Sequence, residues 1–158
     1  MIVKYDDLAN IRAKYHDKKI VLTSGTFDLF HVGHLRYLQE AQSHGDILVV
    51  LLSGDARVRA RKGSDRPIYP ENDRAQILDA LKVVDYVVID PGYNETDPFY
   101  KKIVTRLQPN VYVTDGEDVR FSSIMDKPEL IILPRVEGGE HISTSAIIKH
   151  IAGIADKK

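Results

Sequence analysis

Two histidines stand where an anion-binding site would need them. His31 and His34 enclose Val32 and Gly33, directly after a short apolar run and at the start of a helical pattern. Side chains three residues apart on a helix are neighbours, so both imidazoles can face the same side. Gly33 lets a large anion lie close to the first helical turn, where unpaired backbone N–H groups attract anions. The pair therefore predicts a polyphosphate site to which both imidazoles add side-chain donors.

Other interpretations of this pair have requirements of their own. Isolated histidines are more often surface or satisfied core residues. An H-x-x-H pair can ligate zinc, but the sequence gives no third ligand beside it. A dinucleotide-binding turn needs G-x-G-x-x-G, which is absent here. The preceding Gly25-Thr26-Phe27-Asp28 favours the polyphosphate site, because Gly25 permits an unusual backbone angle or close ligand approach and Thr26 offers a hydroxyl and a backbone donor.

The composition is that of an ordinary globular chain. Its 158 residues, 43% hydrophobic and 28% charged, are expected to form one domain over residues 1–158. A formal net charge of −1 gives no basic field toward nucleic acid or a membrane, so phosphate binding must come from a few placed groups. Cysteine is absent, which removes disulfides and thiolate chemistry. Because no signal peptide and no apolar run of about 18 residues occurs, we expect a soluble cytoplasmic protein.

Five apolar runs predict the strands that must position these residues. They are rich in Val, Ile and Leu and mostly do not alternate with polar residues, as in strands covered on both faces. The runs are residues 20–23, 47–52, 83–89, 111–113 and 130–133.

Helical patterns lie between these runs. We expect a helix ending at His44-Gly45, one entered after Pro70, one capped by Asp97-Pro98 and one beginning near Ser143. An N-terminal helix is expected over about residues 6–16, ahead of a core over about 18–154. The alternation predicts an α/β fold, a Rossmann-like doubly wound parallel five-stranded sheet with helices on both faces. Ligands of such sheets bind outside the carboxyl ends of the strands, at the switch point of strand order.

The first turn also resembles a known family. G-T-F-D-x-x-H-x-G-H, together with the pattern over about residues 18–151, is similar to the cytidylyltransferase-like (HxGH) nucleotidylyltransferases. The resemblance implies transfer of a nucleoside monophosphate from ATP or CTP to a phosphate-bearing substrate, with release of pyrophosphate and with Mg²⁺ accompanying the triphosphate. It implies catalytic roles for His31, His34 and Lys62. No K-M-S-K-S-like loop is present, which argues against an aminoacyl-tRNA synthetase.

The basic segment after the second run supports this resemblance. Residues 62–67 look like the family's mobile loop, in which a lysine, here Lys62, reaches the triphosphate and the substrate phosphate. Arg57 and Arg59 are interpreted as a solvated surface. Arg74 matches a family arginine on the next helix, with a salt bridge on the helix surface as the alternative interpretation.

A second phosphate signature is expected near the C-terminus. Residues 135–145 resemble the family's signature there, and Ser143 is also a natural helix N-cap, two roles that are compatible. The resemblance assigns nucleotide binding to Gly25, Thr26, Phe27, Gly33, Arg74, Arg135, Ser143, Thr144 and Ser145.

The acceptor is less clearly marked. Residues 19–23, 62–68 and 80–88 look like the adenylyltransferase domain of ADP-heptose synthases, which implies ATP and a heptose 1-phosphate. The turn at residues 114–118 departs from that pattern. Asp115 and Glu117 in this turn, together with Asp28, are predicted to contact the acceptor substrate or the edge of the nucleotide base. The Ile-Ser-Thr-Ser order at residues 142–145 looks more like glycerol-3-phosphate and phosphocholine cytidylyltransferases. FMN adenylyltransferases (FAD synthetases) share the framework, and a nucleotide-binding regulatory module is the non-enzymatic alternative. Family resemblance also implies a homodimer.

Overall fold

The protein folds around one parallel sheet. The computed structural model describes residues 1–90, 99–116, 128–134 and 143–155. Its strands follow the order β1-β4-β3-β2-β5-β6, and every neighbouring pair is parallel. The strands are Ile2–Val3 (β1), Ile20–Gly25 (β2), Ile47–Ser53 (β3), Tyr86–Asp90 (β4), Val111–Thr114 (β5) and Glu129–Ile132 (β6). The chain therefore reverses its winding between β2 and β5, where doubly wound sheets bind ligands.

Helices cover both faces of this sheet. A 3₁₀ turn at Tyr5–Asp7 precedes the helices Leu8–Lys14 (α1), Val32–Ser43 (α2), Asp55–Lys62 (α3), Glu71–Asp79 (α4), Phe99–Leu107 (α5) and Thr144–Ala155 (α6). Side chains of β2 alternate, so that Leu22 packs with α1 and α5 in one core while Val21 packs with α2 and α4 in the other. Both residues are fully buried. The two cores hold the carboxyl end of β2 in place from both sides.

The predicted fold class is confirmed, with one strand added. Ile2 and Val3 pair with Val87 and Val88 of β4 and make six strands rather than five. Two residues are too short to produce a recognisable pattern, which is why β1 escaped prediction. The Asp97-Pro98 cap lies outside the described residues. No helix in the described ranges is long and apolar enough to cross a membrane.

Helix α3 was not among the helices predicted from the sequence. Only Val58 of α3 is buried, so the segment has no apolar periodicity to reveal it. Its charges nevertheless suit a helix, with Asp55 in the first turn and Arg59, Arg61 and Lys62 in the last. Gly63, at φ 96°, ends the helix by donating to the Arg59 carbonyl at 2.9 Å.

Candidate active site

The turn between β2 and α2 has an unusual backbone. Phe27 and Leu29 both lie in the left-handed region, at φ 48° and 45°. The Phe27 ring is buried and passes over Gly25, where a Cβ atom would lie 2.7 Å from Phe27 Cε2. Gly25 therefore makes room for an aromatic ring of the protein itself, and its backbone does not take the positive φ that its type permits.

His31 is the N-cap of α2. Its Nδ1 accepts a hydrogen bond from the Gly33 amide at 3.2 Å, so the proton of the neutral ring lies on Nε2. Among the described residues, that buried Nε2 has no hydrogen-bond partner. A buried donor without an acceptor is costly, and a phosphate oxygen would satisfy it. The Gly33 N–H thus donates to His31 Nδ1 and is not available to an anion, while the Nε2–H of His31 is available as a donor instead.

His34 lies in an aromatic enclosure. Its ring stacks on His31 with centroids 3.8 Å apart and planes 20° apart, and Phe27 and Phe30 lie 5.4 and 5.5 Å away. Burial first, and then the neighbouring charges of His31 and Lys62, lower the pKa of His34 to about 4. Burial also lowers the pKa of His31. Near neutral pH both rings are therefore uncharged and act as hydrogen-bonding groups rather than as cations.

Lys62 lies at the last residue of α3, close enough for its charge to influence His34. Desolvation and then the charges of Arg66 and Arg61 lower its pKa. It borders a shallow depression at the carboxyl edge of the sheet, lined by Thr26, Ser53, Arg57, Val58, Arg61 and Lys62. The structure therefore brings the predicted lysine to the side of the predicted histidines.

Asp28 differs from its expected place at a substrate or base edge. Its carboxylate is 1% exposed and accepts hydrogen bonds from the amides of Ile68 and Tyr69, both at 3.0 Å. Arg66 Nε donates to it at 3.1 Å. Burial alone would raise the pKa of Asp28, but these amides and the guanidinium outweigh burial and lower it. The carboxylate is ionised, buried and occupied by the protein's own donors.

Arg74 does not form the salt bridge on the helix surface that was the alternative interpretation. It is fully buried. Its guanidinium donates to the carbonyls of Thr26 (2.6 Å), Ser53 (2.9 Å) and Tyr69 (2.9 Å) and to Asp55 Oδ1 (2.7 Å). It therefore joins the ends of β2 and β3 beneath the site.

The start of α6 meets the first turn. Thr144 Oγ1 donates to the Asp28 carbonyl at 2.8 Å, which brings the second predicted phosphate signature beside the first. Ser143 Oγ accepts the Ala146 amide at 3.1 Å, confirming the predicted N-cap. Within the described residues, the Ser143 hydroxyl proton has no acceptor of its own. Ser143 and the exposed Ser145 can therefore meet a ligand, whereas the Thr144 hydroxyl is already engaged.

A buried ion pair beside the depression was not predicted from the sequence. Arg57 Nη1 donates to Asp90 Oδ2 at 2.9 Å, with 15% and 5% of the two side chains exposed. The interpretation of Arg57 as a solvated residue was wrong, because its helix faces the end of β4. Arg59 is half exposed, as expected. The sequence signal that could have revealed this ion pair is the carboxylate of Asp90 at the end of a buried strand.

For three of the predicted site residues, the contacts described above give no information. Asp115 follows β5 at the carboxyl edge of the sheet and is exposed. Glu117 and Arg135 lie outside the described residues. Within the described ranges, no group of three or more His, Asp or Glu side chains could hold a metal ion.

Comparison with known proteins identifies the class that this fold and site define. The model of the cytidylyltransferase-like family matches residues 22–150, and the chain belongs to that family. It is 40% identical over 156 residues to the bifunctional protein HldE of Aliarcobacter butzleri, covering 95% of the chain and 31% of that protein. It is 48% identical over 118 residues to HldE of Geobacter metallireducens, covering 73% of the chain and 23% of that protein. The chain thus spans less than a third of the length of these curated relatives.

Solved structures share the same framework. A lipopolysaccharide core biosynthesis protein from Thermoplasma volcanium superposes with a TM-score of 0.60 at 26% identity, over 76% of this chain and 99% of that one. A pantoate-beta-alanine ligase from Francisella tularensis, in complex with beta-gamma ATP and beta-alanine, superposes with a TM-score of 0.67 at 17% identity, over 99% of this chain and 77% of that one. The second likeness is one of fold alone.

Proposed function

We propose that this chain is a nucleotidyltransferase that transfers AMP from ATP to a phosphate-bearing acceptor and releases pyrophosphate. The observation that carries the proposal is the buried Nε2–H of His31, which has no hydrogen-bond partner among the described residues and lies beside His34 at the switch point of the sheet. Lys62 lies close enough for its charge to influence His34, and the start of α6 contacts the same turn through Thr144 and the Asp28 carbonyl. Family membership supports the same reaction.

The described residues suit a reaction that needs no general base. An acceptor phosphate is already anionic, so its oxygen can attack the α-phosphorus directly as the bond to the pyrophosphate oxygen breaks. Catalysis then depends on positioning and on stabilising the charge that develops on the leaving pyrophosphate. Neutral His31 donates through Nε2–H, Lys62 supplies a positive charge, and the backbone N–H groups at the start of α6 supply dipoles.

Magnesium is proposed to accompany the triphosphate. Asp28 is occupied by its own donors, and the described residues present no three-ligand cluster. Because Mg²⁺ usually keeps several waters and binds with substrate phosphates rather than in an all-protein cage, it would enter this site with the nucleotide and neutralise part of the triphosphate charge.

A sugar 1-phosphate of the heptose type is the proposed acceptor. Support comes from the resemblance of residues 62–68 and 80–88 to the adenylyltransferase domain of ADP-heptose synthases, and from matches to HldE proteins along most of the chain. The lipopolysaccharide-related structural neighbour is consistent with a sugar acceptor. The Ser-Thr-Ser order at residues 143–145 supports glycerol-3-phosphate-type cytidylyltransfer as the second candidate. The homodimer and the cytoplasmic location stay predictions, the first testable by light scattering.

Pyrophosphate release tests the proposal. The protein is incubated with Mg²⁺ and either ATP or CTP, each paired with heptose 1-phosphate, glycerol 3-phosphate, phosphocholine or FMN. We expect release with ATP and heptose 1-phosphate that is at least about tenfold faster than with any other pair, a difference of about 1.4 kcal/mol in transition-state binding. An Arg59→Ala variant, changed at a half-exposed arginine, serves as the matched active control.

Each other outcome has a defined meaning. Fastest release with CTP and glycerol 3-phosphate would favour the second candidate, and fastest release with FMN would favour an FAD synthetase. Nucleotide binding without release for any pair would contradict the enzymatic proposal and favour a regulatory module.

A further inference from the structure

Asp28 touches all three parts of the proposed phosphate site. It belongs to the turn that leads into His31, its carboxylate binds the loop that follows Lys62, and its carbonyl accepts Thr144 Oγ1 from α6. These contacts join segments that lie 40 and 116 residues away in sequence. Since the carboxylate is 1% exposed, it does this from beneath the site rather than at its surface.

The carboxylate has a full set of donors in the loop. Both its oxygens accept backbone amides, Oδ2 from Ile68 and Oδ1 from Tyr69. Arg66 approaches Oδ2 through Nε at 3.1 Å and Nη2 at 3.0 Å. Hydrogen bonds to a buried charged group are strong, and losing one leaves a buried polar group unsatisfied. The path of the loop after Lys62 therefore depends on this one side chain.

The backbone around Asp28 also depends on these contacts. Its neighbours Phe27 and Leu29 both have φ in the left-handed region, which is unfavourable for residues with a Cβ atom. The bonds to the loop and to Thr144 compensate for that conformation. The turn that delivers His31 and the loop that follows Lys62 are thus fixed by the same residue.

We propose that Asp28 is a positioning residue for the transfer reaction, holding the Lys62 segment and α6 in register with His31 and His34 without contacting the substrate. The inference rests on the proposed function for its kinetic part. Its structural part, the hold on the loop, stands independently of any activity.

The experiment uses Asp28→Asn, Lys62→Ala and the double variant in the full chain. A displacement of about 1 Å costs on the order of 100-fold in rate, so we expect Asp28→Asn to lower kcat about 100-fold with little change in KM for ATP. If Asp28 acts through Lys62, the same substitution in the Lys62→Ala background should cost less than about threefold. Asp85→Asn is the matched control, because Asp85 accepts the Leu48 amide at 2.8 Å at the opposite edge of the sheet.

Hydrogen exchange supplies a readout that needs no activity. In Asp28→Asn, the amides of Ile68 and Tyr69 should exchange at least about tenfold faster, while the Leu48 amide keeps its protection. In Asp85→Asn the pattern should reverse, and turnover should stay at the wild-type level.

Three results would overturn the inference: unchanged amide protection in Asp28→Asn, a loss of kcat that is fully additive with Lys62→Ala, or a loss confined to KM. If Asp28→Asn does not fold, Thr144→Val and Arg66→Met replace it, since each removes one of the contacts to Asp28, and the proposal then requires both to lower kcat. If wild-type protein releases no pyrophosphate while the exchange pattern appears, the proposed function fails and the hold on the loop survives.

Discussion

The imidazole rings of His31 and His34 stack at 3.8 Å between centroids, with His31 capping α2 through Nδ1 and His34 enclosed by Phe27 and Phe30. Two protonated rings at this distance would repel each other in a site that already contains Lys62 and Arg66. The stack therefore favours neutral rings, in agreement with the lowered pKa of each. A neutral pair can donate hydrogen bonds to phosphate while leaving the positive charge to Lys62.

The first prediction concerns stability at low pH. His34 has a pKa of about 4 in the folded chain against an ordinary value of 6.5. As the pH falls, the unfolded chain binds this proton before the folded chain does. The contribution of neutral, buried His34 to the free energy of unfolding is therefore complete above pH 6.5 and is lost between pH 6.5 and 4. Between about pH 8 and pH 5, wild type should lose about 2 kcal/mol more free energy of unfolding than His34→Gln. Urea unfolding at both pH values measures the difference. Equal losses in the two proteins would mean that His34 is not buried as described.

The second prediction separates the two roles of His31. Asparagine is a good N-cap but cannot supply a donor at the position of Nε2, whereas alanine supplies neither. His31→Asn should keep the wild-type melting temperature and lose about 100-fold in kcat, the cost of removing one preorganised donor. His31→Ala should lose a similar factor in kcat and also about 1 kcal/mol of stability. Calorimetry and pyrophosphate release on the same preparations check both. Full turnover in His31→Asn would restrict His31 to capping.

The third prediction compares two cations of α3. Lys62→Ala should lower kcat by about 100-fold, since a charge near the leaving pyrophosphate is removed. Arg59→Ala, a change on the half-exposed side of the same helix, should leave kcat within about twofold. Neither substitution should move the free energy of unfolding by more than about 0.5 kcal/mol. Steady-state kinetics and thermal unfolding test the pair, and equal kinetic losses would point to the overall charge of the helix instead of Lys62.

The fourth prediction concerns Arg74. Arg74→Met removes the guanidinium that donates to Asp55 and to the carbonyls of Thr26, Ser53 and Tyr69, and it should cost about 3–5 kcal/mol of stability. Circular dichroism during thermal unfolding measures the loss. An unchanged melting temperature with a raised KM for ATP would instead support the direct nucleotide contact expected from the sequence.

The centre of the sheet was predictable because strands β2, β3 and β5 are buried on both faces. Continuous runs of Val, Ile and Leu are typical of such strands, and β2, β3 and β5 begin at the predicted residues 20, 47 and 111. The position of His31 and His34 followed from the same logic, since they come directly after β2. Val83 and Val84 extend the predicted apolar run beyond the start of β4, because they lie in a preceding turn where Val84 is buried and Val83 is partly buried.

The contacts of Asp28 and Arg74 could not be predicted from residue type and spacing. Arg66 lies 38 residues from Asp28 in sequence, and Thr26 lies 48 residues from Arg74. No local sequence pattern encodes contacts at these separations. A carboxylate in a turn has the same sequence signature whether it faces a ligand or accepts buried amides. Helix α3 was missed for a different reason, since a charged helix with one buried residue has no apolar period.

The origin of the oxygen that joins acceptor and nucleotide tests the central claim most directly. Heptose 1-phosphate labelled with ¹⁸O at its three non-bridging oxygens is incubated with the protein, ATP and Mg²⁺, and the products are weighed by mass spectrometry. Attack of the acceptor phosphate on the α-phosphorus predicts a nucleoside diphosphate sugar that retains all three labels and pyrophosphate that carries none. Unlabelled ADP as the only nucleotide product, or labelled pyrophosphate, would contradict the account.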